Sequence, residues 1–88
     1  IVLVTHQGYQ NDLALAEAVS GVDAIIGGDS HTLLGDFAQY GIASGGPYPT
    51  WTTNAGGDPV CVAQAWQYSW VLGELGITFR KGKLDACG

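Results

Sequence analysis

Two short apolar runs flank a helical pattern early in the sequence, and this arrangement restricts the fold most. Residues 1–5 read Ile-Val-Leu-Val-Thr, and residues 24–26 read Ala-Ile-Ile. Parallel strands that are buried on both faces have continuous runs of this kind, so both runs are predicted to be parallel strands. The Ala- and Leu-rich residues 13–19 predict a helix between them, with Asn11 or Asp12 as its cap. This part of the chain therefore predicts a βαβ unit and an α/β fold.

The later part of the chain is predicted to consist mostly of antiparallel strands. Residues 51–53 and 60–63 flank a turn-rich segment and predict a hairpin. Residues 70–72 and 77–79 predict a further strand with bends at the glycines between them, and the turn after it leads back into residues 84–86. The fold is therefore predicted to combine a βαβ unit with antiparallel hairpins.

Both histidines of the chain follow a predicted strand. His6 comes after the first strand, and Asp29 and His31 come after Gly27-Gly28 at the end of the second. In open α/β sheets, ligands bind beyond the carboxyl ends of parallel strands. If the backbone stays extended after the glycines, the side chains of Asp29 and His31 point to the same side. Imidazole and carboxylate groups both bind divalent cations, so His6, Asp29 and His31 are predicted to be metal ligands.

The same residues permit three other interpretations. His6 on its own is typical of a core histidine bonded to a backbone carbonyl. Asp29, Ser30 and His31 superficially resemble a hydrolase triad, but adjacent residues on one strand cannot form that geometry. Gly27-Gly28 resembles the start of a phosphate-binding loop, yet no lysine follows at the Walker spacing. The metal interpretation is favoured because it accounts for the placement of both histidines.

Basic residues are confined to one short stretch near the end of the chain. The 88 residues carry a formal net charge of −5, and the basic residues are Arg80, Lys81 and Lys83. Nucleic-acid binding needs a basic face, so a nucleic-acid polymer is not expected as a partner. The charge of an anionic substrate would have to be met by a metal or by groups outside this segment.

The length of the chain allows one small domain at most. No run is long enough to span a membrane, and no signal segment is present. The chain has no initiator Met and opens inside a predicted core strand. It is therefore expected to be an internal piece of a larger protein.

The two cysteines, Cys61 and Cys87, leave three interpretations open: a disulfide, two inert buried thiols, or metal ligands. Zinc-type spacing such as C-x-x-C is missing, which disfavours the last. Neighbouring strands would bring the two cysteines close enough to bridge. Such a bridge would close a loop of roughly 25 residues and contribute roughly 3 kcal/mol in the chain-entropy model. It would also imply an oxidising compartment.

Four aromatic residues, Trp51, Trp66, Tyr68 and Trp70, form either part of the core or a set of rings on which a substrate stacks. Core packing is predicted, because aromatic side chains are common between sheets and helices. Asp36 follows the predicted ligands closely and is predicted to cap a turn rather than to join the site.

Several motifs occur together in an order and spacing known from one family of enzymes. They are Val4-Thr5-His6-Gln7-Gly8, Asp12-Leu13-Ala14-Leu15-Ala16, Ile25-Ile26-Gly27-Gly28-Asp29-Ser30-His31-Thr32, Pro47-Tyr48-Pro49-Thr50, Pro59-Val60, Gln64-Ala65 and Leu72-Gly73. Through them, nearly the whole chain resembles the later part of the metallophosphoesterase domain of the 5′-nucleotidase family. The periplasmic bacterial branch, which includes NAD nucleotidases, is the most similar.

The resemblance implies a calcineurin-like fold, in which helices flank a β-sandwich and two divalent metal ions (Zn, Mn, Mg or Ca) lie at the sheet ends. It places His6 on a ligand of the second metal and His31 on a ligand of the first. Asp29 stands where the family normally has a histidine on the second metal. Because Asp is a harder, anionic ligand, it favours Mn, Mg or Ca over a histidine-rich zinc site. Alternatively, Asp29 only orients His31 or a bound water.

The resemblance also implies that residues 1–88 are the C-terminal part of a metallophosphoesterase domain. Its upstream half and the nucleotide-specificity domain are absent from this fragment. The family's catalytic histidine and remaining metal ligands lie upstream, and the motifs Asp-x-His and Gly-Asn-His-Asp do not occur here. No catalytic residue is therefore assigned within this segment, which is expected to be inactive alone.

The function implied by the resemblance is hydrolysis of nucleotide phosphate esters through a two-metal site, in a periplasmic or secreted enzyme. The partners would be a nucleotide or other phosphate-ester small molecule and the remainder of the domain. Two alternatives stay open. One is a sulfur-oxidation thiol hydrolase of the same superfamily. The other is a non-catalytic binding or structural module of the same fold. The feature that supports this alternative is Asp29, which stands where the family normally has a histidine.

Overall fold

Four strands form one mixed sheet, and two more form a separate hairpin. The computed structural model describes residues 1–88. In chain order its elements are β1 (Val2–Val4), α1 (Tyr9–Ala18), β2 (Ala24–Gly27), a 3₁₀ turn (Ala38–Tyr40), β3 (Thr50–Thr53), β4 (Pro59–Gln64), β5 (Ile77–Arg80) and β6 (Lys83–Cys87). The larger sheet has the order β1-β2-β4-β3, with β3 antiparallel to the other three strands. The predicted α/β class is confirmed.

The predicted βαβ unit is also confirmed. β1 pairs with β2 in parallel, with Val4 opposite Ile26, and α1 connects the two strands. The helix and the sheet bury a common apolar core. Its members are Tyr9, Ala16, Val22, Ile25, Leu34, Val60 and Val62. β1 and β3 are the edge strands of this sheet. No helix is both long and apolar enough to cross a membrane.

The helix begins earlier than predicted, so the capping prediction is wrong. α1 starts at Tyr9, and neither Asn11 nor Asp12 caps it. Its N-cap residue is Gly8, with φ of 96°, a conformation that glycine adopts at little cost. The backbone N–H of Tyr9 donates a hydrogen bond to Ser30 Oγ at 3.0 Å. Asp12 is unavailable as a cap because its side chain is buried beneath the helix and bonded there.

Both predicted hairpins of the later part are confirmed. In the turn between β3 and β4, Asn54 Oδ1 accepts hydrogen bonds from the N–H groups of Gly56 and Asp58 at 2.9 and 3.0 Å. β5 and β6 pair in antiparallel fashion around a tight turn. The strand predicted at residues 70–72 is wrong, because this segment pairs with neither sheet and has no regular structure.

The prediction that the aromatic side chains pack in the core is wrong for three of the four. Trp51 is 45% exposed, Tyr68 79% and Trp70 67%. Trp66 is half-buried, and its ring lies edge-on to that of Trp70 with centroids 5.3 Å apart. Residues 66–70 follow the end of β4 and so lie outside the apolar cluster between sheet and helix.

Cys61 and Cys87 form a disulfide, which decides among the three interpretations. The two cysteines lie on β4 and β6, so the bond joins the two sheets rather than neighbouring strands of one sheet. A second apolar cluster surrounds it and includes Ala24 and Leu84. The cysteines are 26 residues apart in sequence. A loop of this size is worth about 3 kcal/mol in the chain-entropy model.

Candidate functional site

The predicted ligands follow the carboxyl ends of β1 and β2. Because these strands are parallel neighbours, both ends open at the same edge of the sheet. Beyond the strands, the N–H of Gly8 donates a hydrogen bond to the carbonyl of Gly28 at 3.1 Å. The two connections therefore stay side by side, which places His6 next to Asp29.

His6 and Asp29 are in direct contact. Nε2 of His6 lies 3.3 Å from Oδ1 of Asp29, and the side chains are 79% and 55% exposed. The predicted meeting of polar groups at the strand ends is thus observed for this pair, and solvent reaches both members.

His31 is directed elsewhere, because the backbone after the glycines is not extended. Asp29 has φ of 76° and His31 has φ of 51°, both in the left-handed region that few non-glycine residues adopt. The premise that Asp29 and His31 point to the same side of an extended segment is therefore wrong. The His31 ring instead lies edge-on to Tyr68, with centroids 5.2 Å apart. No three His, Cys, Asp or Glu side chains are grouped to hold a metal ion, so the three-ligand assignment stays a prediction.

Two buried polar side chains that were not anticipated hold the strand-end connections in place. The first is Asp12, which is fully buried on α1. Its Oδ1 accepts hydrogen bonds from Thr5 Oγ1 at 2.7 Å and from Gln7 Nε2 at 2.9 Å. These donors lie on either side of His6. Oδ2 of Asp12 has no hydrogen-bond partner.

The second is Gln64, the buried last residue of β4. Its Oε1 accepts a hydrogen bond from the N–H of Thr32 at 2.7 Å, and its Nε2 donates one to the carbonyl of Gly28 at 3.2 Å. These bonds fix the two ends, Gly28 and Thr32, of the connection that carries Asp29 and His31. The conformation of that connection therefore depends on a side chain from a strand later in the sequence.

Close approach of a buried side chain requires glycine at position 27, and Gly28 lies in tight contact with His6. A Cβ atom on Gly27 would lie 2.0 Å from Oδ2 of Asp12, and one on Gly28 would lie 3.3 Å from Nδ1 of His6. The absence of side chains here leaves room for the buried carboxylate and for the imidazole.

A polar cleft of about 420 Å³ opens beside the pair. Residues 7–11 line one side, and Asp29, Ser30 and Thr32 contribute to the other. Its volume is typical of a small-molecule site. The lining offers amide and hydroxyl groups for hydrogen bonding and no basic side chain.

Tyr48 lines a separate, more apolar cleft of about 280 Å³. Burial and then the charge of Glu74 raise the pKa of Tyr48 above its ordinary value. Its hydroxyl therefore stays protonated at neutral pH and donates to the carbonyl of Glu74 at 3.1 Å. This tyrosine fixes a loop and lies outside the polar cleft.

Similarity to known proteins runs along most of the chain, although no protein-family model matches it. Over 81 residues, 90% of the chain, it is 40% identical to a probable 5′-nucleotidase of Treponema pallidum (strain Nichols). It is 37% identical over 81 residues, again 90% of the chain, to an NAD 5′-nucleotidase of Haemophilus influenzae. The matched regions are only 14% and 13% of these relatives' lengths.

Solved structures show the same similarity. A 5′-nucleotidase precursor from Thermus thermophilus superposes with a TM-score of 0.89 at 44% identity, over 98% of this chain and 18% of that one. The NAD nucleotidase of Haemophilus influenzae gives a TM-score of 0.92 at 31% identity, over 99% and 18%. The resemblance to the 5′-nucleotidases is thereby confirmed, and so is the calcineurin-like fold to which this segment corresponds.

Proposed function

We propose that this chain, similar in sequence and fold to a segment of the 5′-nucleotidases, is part of a longer enzyme that hydrolyses nucleotide phosphate esters. The observation that carries the proposal is the contact of His6 with Asp29 at the ends of two parallel strands. The chain spans 13 to 18% of the relatives and solved structures named above. Residues 1–88 would thus be the C-terminal part of a metallophosphoesterase domain, completed by the remainder of the protein.

Two divalent ions are the proposed cofactors, and the chain offers part of their coordination. Two atoms bound to one ion at about 2.1 Å lie about 3.0 to 3.4 Å apart. Nε2 of His6 and Oδ1 of Asp29 are 3.3 Å apart, so the pair fits as two ligands of one cation. His31 is proposed as a further ligand whose companions come from outside this segment. Since Asp29 supplies an anionic oxygen, a hard ion such as Mn²⁺ or Mg²⁺ is favoured.

The chain's own groups would bind and orient the substrate beside this pair. When bound, the ions would supply an activated water and stabilise negative charge on the phosphoryl oxygens. The amide and hydroxyl groups of the polar cleft can donate hydrogen bonds to a phosphate ester. They cannot neutralise its charge, because residues 1–79 contain no Lys or Arg. Charge neutralisation would therefore fall to the metal ions or to the rest of the protein.

The periplasm or the cell exterior is the proposed location of the enzyme. The disulfide between Cys61 and Cys87 supports this proposal, because structural disulfides persist in oxidising compartments. Protein isolated from its native cells without reductant should leave both cysteines unlabelled by a thiol reagent. Labelling of both would contradict the proposal.

Metal-dependent hydrolysis by the full-length protein is the central test. Phosphate release from AMP and cleavage of NAD would be measured before and after chelation with EDTA, and after Mn²⁺, Mg²⁺ or Zn²⁺ is restored. Activity should disappear on chelation and return with metal. Metal binding without hydrolysis of either substrate would overturn the proposal in favour of a non-catalytic module.

Substitution of the proposed ligands gives the sharper test. His6→Ala, Asp29→Ala and His31→Ala should each lower kcat about 100-fold or more if the side chain binds the metal. The matched control is Asp36→Ala, because Asp36 is an exposed aspartate that accepts the N–H of Ala38 in a turn. If one of the three variants is as active as Asp36→Ala, the residue substituted in that variant is not a metal ligand.

A further inference from the structure

We propose that the buried carboxylate of Asp12 is a positioning residue that holds His6 opposite Asp29. Asp12 is fully buried and is not among the residues that line the polar cleft. Burial of a carboxylate is costly unless hydrogen bonds or a cation compensate for lost water. Residues 1–79 supply no Lys or Arg, and one carboxylate oxygen has no hydrogen-bond partner. An apolar residue would pack better at this position, so the role of the carboxylate lies in the groups that it contacts.

The first contact of Asp12 is with the connection that carries His6. Oδ1 accepts hydrogen bonds from Thr5 at 2.7 Å and from Gln7 at 2.9 Å, the two residues that flank His6. Fixing both neighbours limits the rotation of the backbone between them. The imidazole is 79% exposed, so the backbone that carries it, more than packing around the ring, fixes the point from which it reaches Asp29.

The second contact is with the strand end that leads to Asp29. Oδ2 of Asp12 occupies the space that a Cβ atom on Gly27 would need, 2.0 Å from its ideal position. Gly27 ends β2, two residues before Asp29. One side chain on α1 therefore contacts both connections whose side chains form the candidate pair, and it sets their relative position.

Two substitutions separate this role from simple support of the core. Asp12→Ala removes both hydrogen bonds and the contact with Gly27. Asp12→Asn keeps the shape and an oxygen that accepts from Thr5 and Gln7, but places an amide without an acceptor where Oδ2 lies. Asp12→Asn should therefore still hold His6 in place, whereas Asp12→Ala should not. Val60→Ala is the control, because Val60 is fully buried in the core and contacts neither connection through a hydrogen bond.

The affinity of the full-length protein for Mn²⁺, measured by electron paramagnetic resonance, is the first readout. This readout rests on the proposed function, since it assumes that His6 and Asp29 bind a metal. Asp12→Ala should raise the Mn²⁺ dissociation constant about 10- to 100-fold, whereas Asp12→Asn and Val60→Ala should stay within about threefold. The positioning role is overturned if Asp12→Asn or Val60→Ala raises the Mn²⁺ dissociation constant as much as Asp12→Ala does.

Hydrogen exchange at the Gly8 amide is the second readout and needs no metal. This N–H donates to Gly28 across the two connections. In Asp12→Ala its exchange should accelerate about tenfold or more, well beyond any acceleration of the same amide in Val60→Ala. A wild-type protein that binds no Mn²⁺ would refute the metal site and leave this readout to decide the positioning role. If Asp12→Ala does not fold, Thr5→Val removes one of the two bonds and should show a smaller change in the same direction.

Discussion

The candidate site and the β5–β6 hairpin are held to the rest of the molecule in different ways. At the site, the connections after β1 and β2 are fixed by hydrogen bonds to two buried polar side chains, Asp12 and Gln64. The hairpin is fixed by a disulfide and the apolar cluster around it. Hydrogen bonds are directional and worth about 1 kcal/mol each, whereas a cross-link acts mainly by restricting the unfolded chain. Substitutions at the site should therefore change geometry, and substitutions at the hairpin should change stability.

Loss of the disulfide should give the largest effect on stability. Cys61→Ala combined with Cys87→Ala should lower the free energy of unfolding by about 3 kcal/mol, measured by urea denaturation of the full-length protein. Wild-type protein in reductant is the control and should lose a similar amount. The Mn²⁺ affinity of the folded variant should stay unchanged. A weaker affinity would show that the hairpin and the site are coupled and would break the comparison.

Loss of the Gln64 side chain should lower the free energy of unfolding less than loss of the disulfide does, but it should weaken Mn²⁺ binding more. Gln64→Leu leaves the N–H of Thr32 without an acceptor, whereas the carbonyl of Gly28 keeps its bonds from the N–H groups of Gly8 and Ser30. The expected cost is about 1 to 3 kcal/mol in the free energy of unfolding. The substitution should also raise the Mn²⁺ dissociation constant about tenfold, because the connection with Asp29 is released. Gln67→Leu is the matched control, since that side chain makes no hydrogen bond. Equal metal affinities in the two variants would contradict the positioning of this connection by Gln64.

The smallest effect is expected from the ion pair at the hairpin. Lys83 Nζ lies 2.8 Å from Asp58 Oδ1, and both side chains are largely exposed. Lys83→Ala should therefore lower the free energy of unfolding by about 0.5 kcal/mol or less. The difference from the wild type should vanish in 1 M salt, because the Debye length is then roughly 3 Å and the charges are screened. A loss above about 1 kcal/mol that resists salt would mean that the hairpin depends on charge as well as on its disulfide.

The strands and their connections could be predicted because their signals are local. Continuous Val and Ile runs identified β1 and β2, and turn residues such as Asn54 identified the β3–β4 hairpin. The placement of His6 and Asp29 at one sheet edge followed from strand direction alone. These features need only the pattern of a few neighbouring residues.

The details of the site could not be predicted, because they depend on contacts between distant residues. The direction of His31 follows from two left-handed backbone conformations and from the ring of Tyr68 far along the chain. Local preference makes either Asn11 or Asp12 a candidate helix cap, whereas the burial of Asp12 against Thr5 and Gln7 is a tertiary effect. Trp70 shows the opposite error. Its aromatic side chain predicts burial, but this part of the fold leaves it exposed.

β1 is an edge strand, and this has a practical consequence for anyone who produces the segment alone. One side of its backbone pairs with β2, and the larger sheet offers no strand to the other side. Val2 and Val4 are exposed along it, so the edge is both apolar and open. Such an edge is a template on which a second chain adds a strand. We therefore expect isolated copies to self-associate through this edge, although β1 has only three residues.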